Sequence, residues 1–162
     1  MIVEDGSGLC NAESYCTIEE ADSYLEARRA QSWIAALKGK KEAALVRASD
    51  YLERAYRGLW PGEKATQNQR LSYPRYGIKG IKENEIPAWL KEATCEGALL
   101  ELEVPGIFSW DESEGGRLTR EKEGEVEKSY SPGPRSVREF SQIYGLIKEH
   151  IKSPSQIGIL RA

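Results

Sequence analysis

The sequence predicts a mainly α-helical domain with a small β-hairpin. Apolar residues recur at helical spacing in three long stretches, and a charged segment around residue 124 alternates like two short strands joined by a turn. We therefore expect a helical bundle of about three long helices with extended N-terminal and C-terminal arms. At 162 residues, the chain is expected to form a single domain that buries roughly two-thirds of its unfolded surface.

The N-terminal arm is expected to cover residues 1–16 and to lead into a helical core that covers residues 17–104. Thr17 and Glu20 have the spacing of a capping box, in which each side chain accepts a hydrogen bond from the other residue's backbone N–H. This pair predicts that the first long helix begins here, and the apolar spacing that follows extends it to about Arg29.

The second and third long helices flank a long loop. The second is predicted from about Lys40 to Arg57, where apolar residues recur every three or four positions. The third starts at Pro87, a favoured first helical residue, and ends before Pro105. Residues 59–86 between them carry many turn signals, and unusually long loops in small domains tend to be functional.

The C-terminal part is expected to hold a hairpin region, a helix and a tail. The hairpin region covers residues 107–134 and contains two short, mostly charged strands. Ser136 and Glu139 have the spacing of another capping box and predict a C-terminal helix over residues 135–152. The tail, residues 153–162, is apolar and β-prone, so it could add a strand to a neighbour's sheet.

Charge is distributed in blocks along the chain, although the net charge is only −3. Residues 38–82 hold eleven basic and four acidic residues, whereas residues 83–128 hold five basic and thirteen acidic ones. The basic block could face nucleic acid, or the acidic block of a neighbouring copy, or solvent. The sequence leaves these three interpretations open.

No catalytic or metal-binding constellation accompanies these elements. The chain lacks the glycine motifs that bind phosphates or dinucleotides and the GxSxG nucleophile motif. Cys10, Cys16 and Cys95 form no CxxC pair and are expected to be reduced thiols, mostly buried. His150 is expected at a helix end, where a positive charge is favoured. We therefore expect no enzymatic activity, no metal and no cofactor.

No membrane association is expected either. No apolar run approaches the roughly 18 residues that a membrane-spanning helix needs. The N-terminal residues lack the basic and apolar regions of a signal peptide, so the chain is expected to stay in the cytoplasm of the cell that makes it.

The aromatic residues divide into two predicted groups. Trp33, Trp60 and Trp89 lie in apolar patterns and are expected in the core. The better candidates for exposed contacts are Tyr73, Tyr76 and Tyr130.

Several stretches of the chain carry a resemblance to a known family. They are Val3–Gly8 with Ala12–Tyr15, then Ala21–Tyr24, Lys41–Leu52, Gln69–Arg75 and Ile86–Ala93. In these stretches the chain resembles small head-completion or head–tail adaptor proteins of tailed bacteriophages, a group often labelled DnaT-like single-stranded DNA-binding protein. The C-terminal third matches in layout more than in residues.

The resemblance implies a structural role as a head-to-tail adaptor with a connector-like helical fold. Such a protein joins the phage portal protein to tail or stopper proteins as a homo-oligomeric ring, by resemblance dodecameric, with DNA passing through the lumen. It would lie at the head–tail junction of the virion after synthesis in the cytoplasm of the bacterial host. The net negative charge and the aromatic residues in apolar patterns favour this role over DNA binding.

Two sets of residues are candidates for subunit or partner contacts. Basic side chains of the second helix would face acidic groups of residues 96–127 in a neighbouring copy. This basic set is Lys40, Lys41, Arg47, Arg54 and Arg57. The hairpin and tail supply the second set, Tyr130, Ile157, Ile159, Leu160 and Arg161.

The DnaT-like label implies an alternative function, that of a single-stranded DNA-binding replication accessory protein. Such a protein needs a groove where basic side chains contact phosphates and exposed aromatic rings stack on bases, and its affinity falls steeply with salt. The candidate contacts are Lys64, Arg70, Tyr73, Arg75, Tyr76, Lys79 and Lys82.

Overall fold

A computed structural model describes residues 1–109, the backbone of residues 120–123 and 126–129, and residues 140–152. Residues 1–108 and 140–152 belong to one unit, and the strands of the hairpin belong to a second. Within these residues, no helix is both long enough and apolar enough to cross a membrane.

The described chain contains five α-helices. They are α1 (Ile18–Ala27), α2 (Gln31–Ile34), α3 (Lys38–Tyr56), α4 (Ala88–Glu103) and α5 (Ser141–Ile147), and a 3-10 turn (Lys148–His150) follows α5. The mainly helical class is confirmed. The expected three long helices are not what is observed, because only α3 and α4, with 19 and 16 residues, exceed ten residues.

The start of α1 confirms the first capping box. The backbone N–H of Glu20 donates to Thr17 Oγ1 at 3.2 Å, and the backbone N–H of Thr17 donates to Glu20 Oε2 at 2.9 Å. Two N–H groups that the helix itself cannot satisfy are thereby paired. The helix ends at Ala27, close to the predicted end.

The core lies where α4 packs against α3 and α5. Gly97 allows the close approach, since a Cβ atom at this position would lie 2.9 Å from Ala48 Cβ. Leu52 of α3, Leu90 of α4 and Ile143 of α5 are fully buried around this contact. Small residues on α3 and α4 therefore set the distance between the two longest helices.

Two small antiparallel sheets accompany the helices. In the first, β1 (Glu63–Lys64) pairs with β2 (Arg75–Tyr76) inside the long loop, where no strand was predicted. In the second, β3 (Arg120–Glu123) pairs with β4 (Val126–Ser129), which confirms the predicted hairpin.

The N-terminal segment folds back on itself, unlike the predicted extended arm. The carboxylate of Glu4 accepts hydrogen bonds from the backbone N–H groups of Gly6, Gly8 and Leu9 at 2.8–3.0 Å. Gly6 has a φ of 95°, and a Cβ there would lie 2.0 Å from a backbone oxygen, so only glycine fits this turn. A buried carboxylate that organises its own loop explains why the segment does not project from the core.

The C-terminal helix begins later than predicted. Phe140 has extended backbone angles, and α5 starts at Ser141. The ring of Phe140 packs edge-on against Tyr51 and Phe108, with centroids 5.4 Å apart in both pairs. Packing of this ring on α3 keeps residue 140 out of the helix. Ser136, Glu139, Tyr130 and residues 153–162 lie outside the described residues.

Candidate nucleic-acid interface

An open groove lies at the start of α4 and has a volume of about 580 Å³. Three segments line it: residues 78–81 of the long loop, the first turn of α4, and residues 149–152 after α5. Pro87, the N-cap residue of α4, has a φ of −61° and is buried together with Ile86. This anchoring places Trp89 of α4 at the wall of the groove.

A stack of three rings leads from the core into the groove. Trp60 is only 2 % exposed and stacks on Trp89 with centroids 5.9 Å apart. Trp89 stacks in turn on His150, with centroids 4.2 Å apart and planes only 6° from parallel. Tyr73 packs edge-on against both tryptophans at 5.6–5.7 Å. The predicted burial of Trp60 is confirmed, whereas Trp89 and His150 are partly exposed.

His150 is held in position by contacts of the residues that precede it and follow it in the sequence. Ile147, one helical turn before it, is fully buried. The backbone N–H of Lys152, two residues after it, donates to the carbonyl oxygen of Leu59 at 2.7 Å. These two attachments fix the segment against the loop that follows α3, and His150 lies at the end of the 3-10 turn, as predicted.

Charges of both signs line the groove. Lys79 and Lys152 come from two different segments, and the carboxylates of Glu85 and Glu149 lie with them. Within the part of the chain that the structure describes, neither lysine has a salt-bridge partner. No group of three or more His, Cys, Asp or Glu side chains in that part could hold a metal ion. The groove thus offers two unpaired cations beside an aromatic wall.

Several of the side chains predicted to contact DNA form hydrogen bonds within the protein instead. Arg70 donates to the carbonyl oxygen of Ala12 at 2.7 Å and to Asp50 at 2.9 Å. Lys64 donates to the carbonyl oxygen of Gln69 at 3.1 Å. These side chains hold the long loop (residues 59–86) and the N-terminal segment together, so they are not free to bind the phosphates of a DNA strand.

The Tyr73-Pro74-Arg75 motif is also structural. Arg75 donates to the carbonyl oxygens of Pro61 at 2.6 Å and Gly62 at 2.7 Å, and its burial lowers the pKa of its guanidinium group. Tyr73 has no exposed surface, and its burial raises the pKa of its hydroxyl to about 12. The expectation that Tyr73 is exposed is therefore wrong, because its ring packs edge-on against both Trp60 and Trp89 in the core.

Tyr76, Lys79 and Lys82 remain on the surface. The hydroxyl of Tyr76 donates to Glu63 at 2.5 Å, across the β1–β2 pair. Lys79 and Lys82 are exposed, and Lys79 lines the groove. Of the residues predicted to contact DNA, Tyr73 and Lys79 line the groove, and of these two Lys79 is the exposed one.

A partly buried polar network holds this loop on α3. The carboxylate of Glu53 accepts hydrogen bonds from the Tyr15 hydroxyl and from the backbone N–H and hydroxyl of Ser72. Burial and the neighbouring negative charge of Glu53 raise the pKa of Tyr15 well above its usual value. The network fixes the residue that precedes Tyr73 and so supports one side of the ring stack.

Three of the five basic side chains predicted at a subunit interface contact groups of their own chain. Arg47 pairs with Glu101, which belongs to the acidic block, and Arg54 donates to the carbonyl oxygen of Phe108 at 3.1 Å. Lys41 pairs with Asp22 at 2.7 Å. Lys40 and Arg57 are exposed. Tyr130, Ile157, Ile159, Leu160 and Arg161 lie outside the described residues.

The three cysteines are free thiols. Cys10 is exposed, whereas Cys16 and Cys95 are buried with their sulfur atoms 3.7 Å apart. The hydrogen bond with Cys16 and burial together raise the pKa of Cys95 well above its usual value. The Cys95 thiol is therefore protonated, and the burial of Cys16 and Cys95 fits the predicted packing role.

Comparison with known protein families shows to which family the chain belongs. The model of the family described as "Putative DnaT-like ssDNA binding protein" matches residues 1–162. The chain belongs to this family. Membership confirms the DnaT-like part of the sequence resemblance, while the adaptor role stays a prediction. No curated protein and no solved structure matches the chain.

Proposed function

We propose that this protein binds single-stranded DNA through the groove at the start of α4. The observation that carries the proposal is the ring stack of Trp60, Trp89 and His150, which opens into a groove lined by Lys79 and Lys152. Membership of a family described as DnaT-like and single-stranded DNA-binding supports the same function.

The physical requirements of single-strand binding match these features. Sequence-independent binding combines cations that contact phosphates with aromatic rings on which bases stack. Lys79 and Lys152 supply cations from two walls of one groove, and both are free of carboxylate partners within the described chain. Glu85 and Glu149 repel phosphates from their part of the wall, so the strand would follow the lysines.

A salt-dependent titration tests the proposal. Fluorescence anisotropy would measure binding of a labelled oligothymidylate to the full chain at several salt concentrations. The Lys79→Ala/Lys152→Ala variant is expected to bind more weakly, with a slope of log K against log salt that is smaller by about 1.4, because each phosphate contact on a single strand contributes about 0.7.

The matched control is the Lys38→Ala/Lys40→Ala variant, which removes the same charge from exposed positions of α3. It is expected to keep most of the affinity and the salt slope. Equal losses in the two variants, or no binding by the wild-type protein, would contradict the proposed site.

A second candidate function is the head-to-tail adaptor role that the sequence resemblance implies. Exposed apolar side chains at Ile34, Leu37 and Val104 favour it, since Leu37 is 74 % exposed and such residues suit docking on other proteins. Electron microscopy of the protein mixed with a portal ring is the direct test. Truncation from residue 157 onwards is expected to weaken assembly on the ring, and unchanged assembly would count against strand addition by the tail.

A further inference from the structure

We infer that His150 is the platform on which one unpaired nucleobase stacks, an inference that rests on the proposed single-stranded DNA binding. It adds a base-binding position to the phosphate contacts already proposed. The position follows from the order of the rings and from the way His150 is held.

Among the residues that the structure describes, the ring stack has one open end. Trp60 is buried, and Trp89 has Trp60 on one side and His150 on the other. Another flat ring that extends the stack must therefore add to His150, which lines the groove and is partly exposed. Offset stacking of aromatic rings is favourable beyond the area that it buries.

His150 is also held in place before any ligand arrives. The buried Ile147 and the hydrogen bond from the backbone of Lys152 to Leu59 anchor its segment on both sides. The imidazole lies parallel to Trp89 at 4.2 Å. A base would thus meet a ring that is already oriented, which lowers the entropic cost of binding.

The groove favours an unpaired base over phosphate alone. Its two lysines are offset by the carboxylates of Glu85 and Glu149, so electrostatic attraction to a bare backbone is modest. Its volume of about 580 Å³ suits a ligand of nucleotide size. In a duplex both faces of each base are covered by neighbouring bases, so this position selects single strands.

Two kinds of probe separate stacking from phosphate binding. An oligothymidylate and an abasic oligonucleotide of equal length carry the same phosphates, and only the first carries bases. The wild-type protein is expected to bind the abasic strand more weakly. His150→Ala is expected to weaken oligothymidylate binding about 5- to 150-fold, which corresponds to the loss of one stacked base, and to leave binding of the abasic strand nearly unchanged.

The His150→Phe variant is the matched control, because it keeps a flat ring without the imidazole. It is expected to retain oligothymidylate affinity, and circular dichroism would confirm that both variants fold. The inference would be overturned if His150→Ala bound the oligothymidylate as tightly as the wild-type protein or more tightly. It would also be overturned if the wild-type protein bound the oligothymidylate and the abasic strand equally well. Absence of any wild-type binding would instead overturn the proposed function together with the inference.

Discussion

Two neighbouring regions use aromatic and polar side chains in opposite ways. In the network of Tyr15, Glu53 and Ser72, the buried Tyr15 and Ser72 are hydrogen-bonded to the half-buried Glu53. In the groove next to it, the rings of Trp89 and His150 reach the surface beside Lys79 and Lys152. In the network the polar groups bind one another, whereas in the groove the rings and the lysines can contact a ligand.

The difference separates two roles among the residues that carry the family resemblance. The Gln69–Arg75 stretch is among the most distinctive parts of the sequence, yet most of its side chains hold the loop against α3 and the N-terminal segment. Trp89 lies in another such stretch, Ile86–Ala93, and lines the groove together with Lys79 and a C-terminal segment with little sequence signal. Distinctive residues in this chain thus form both the support of the site and part of its wall.

The largest expected effect comes from breaking the closed network. Glu53→Ala leaves the hydroxyl groups of Tyr15 and Ser72 without their acceptor, whereas the backbone N–H of Ser72 keeps the Tyr15 oxygen, so we expect a loss of about 2–4 kcal/mol in the free energy of unfolding. Urea denaturation would measure it. Glu26→Ala removes an exposed carboxylate from α1 and is expected to change stability by less than about 0.5 kcal/mol. Similar losses in the two variants would show that the network does not hold the loop.

A pair of glycine substitutions tests the helix contact that carries Trp89. Gly97→Ala would place a Cβ atom 2.9 Å from Ala48 Cβ, so we expect a destabilisation of about 1–3 kcal/mol. Gly145→Ala in α5 meets no atom within 4 Å and is expected to stabilise the protein by about 0.5–1 kcal/mol through helix propensity. Thermal unfolding of both variants gives the comparison, and the same sign of change in both would contradict it.

The smallest expected effect concerns acid sensitivity outside both regions. Desolvation acts to raise the pKa of Asp22, but hydrogen bonds from Lys41 and Trp33 outweigh it and lower the pKa below its usual value. A lowered folded-state pKa stabilises the protein above the unfolded-state value and is lost as pH falls through the folded-state value. The contribution is therefore present at pH 7 and disappears below about pH 4.

Asp22→Asn is expected to cost about 0.5–1.5 kcal/mol at pH 7, mainly by removing the charge that pairs with Lys41. Urea denaturation between pH 7 and about pH 2.5 would follow the difference from wild type. The difference should shrink as the pH drops through the range of Asp titration. A difference that stays constant over the whole range would mean that the carboxylate charge is not responsible.

Local features of the fold could be predicted from the sequence. The capping box at Thr17 and Glu20 acts within four residues, so its spacing alone predicts the start of α1. The limits of α3 and α4 follow from apolar spacing and from Pro87. The β3–β4 hairpin pairs strands that are close in sequence.

Long-range contacts could not be predicted in the same way. The partners of Arg70 and Arg75 are backbone carbonyls of Ala12, Pro61 and Gly62, which no side-chain pattern identifies. The contact between Trp89 and His150 joins two segments that are distant in sequence. The local sequence pattern predicts Trp89 as a core residue and His150 as a residue at a helix end, and neither pattern predicts that the two rings meet. The candidate site therefore depends on tertiary structure, and Tyr73 and Lys79 are the two predicted DNA contacts that line it.

Hydrogen–deuterium exchange of the full chain, with and without an oligothymidylate, would locate the DNA-binding surface. We expect slower exchange in residues 77–89 and 148–152 when the strand is bound, and no change in residues 38–47. Protection confined to residues 38–47, or no protection anywhere under conditions where the strand binds, would show that the groove at the start of α4 is not the DNA-binding site.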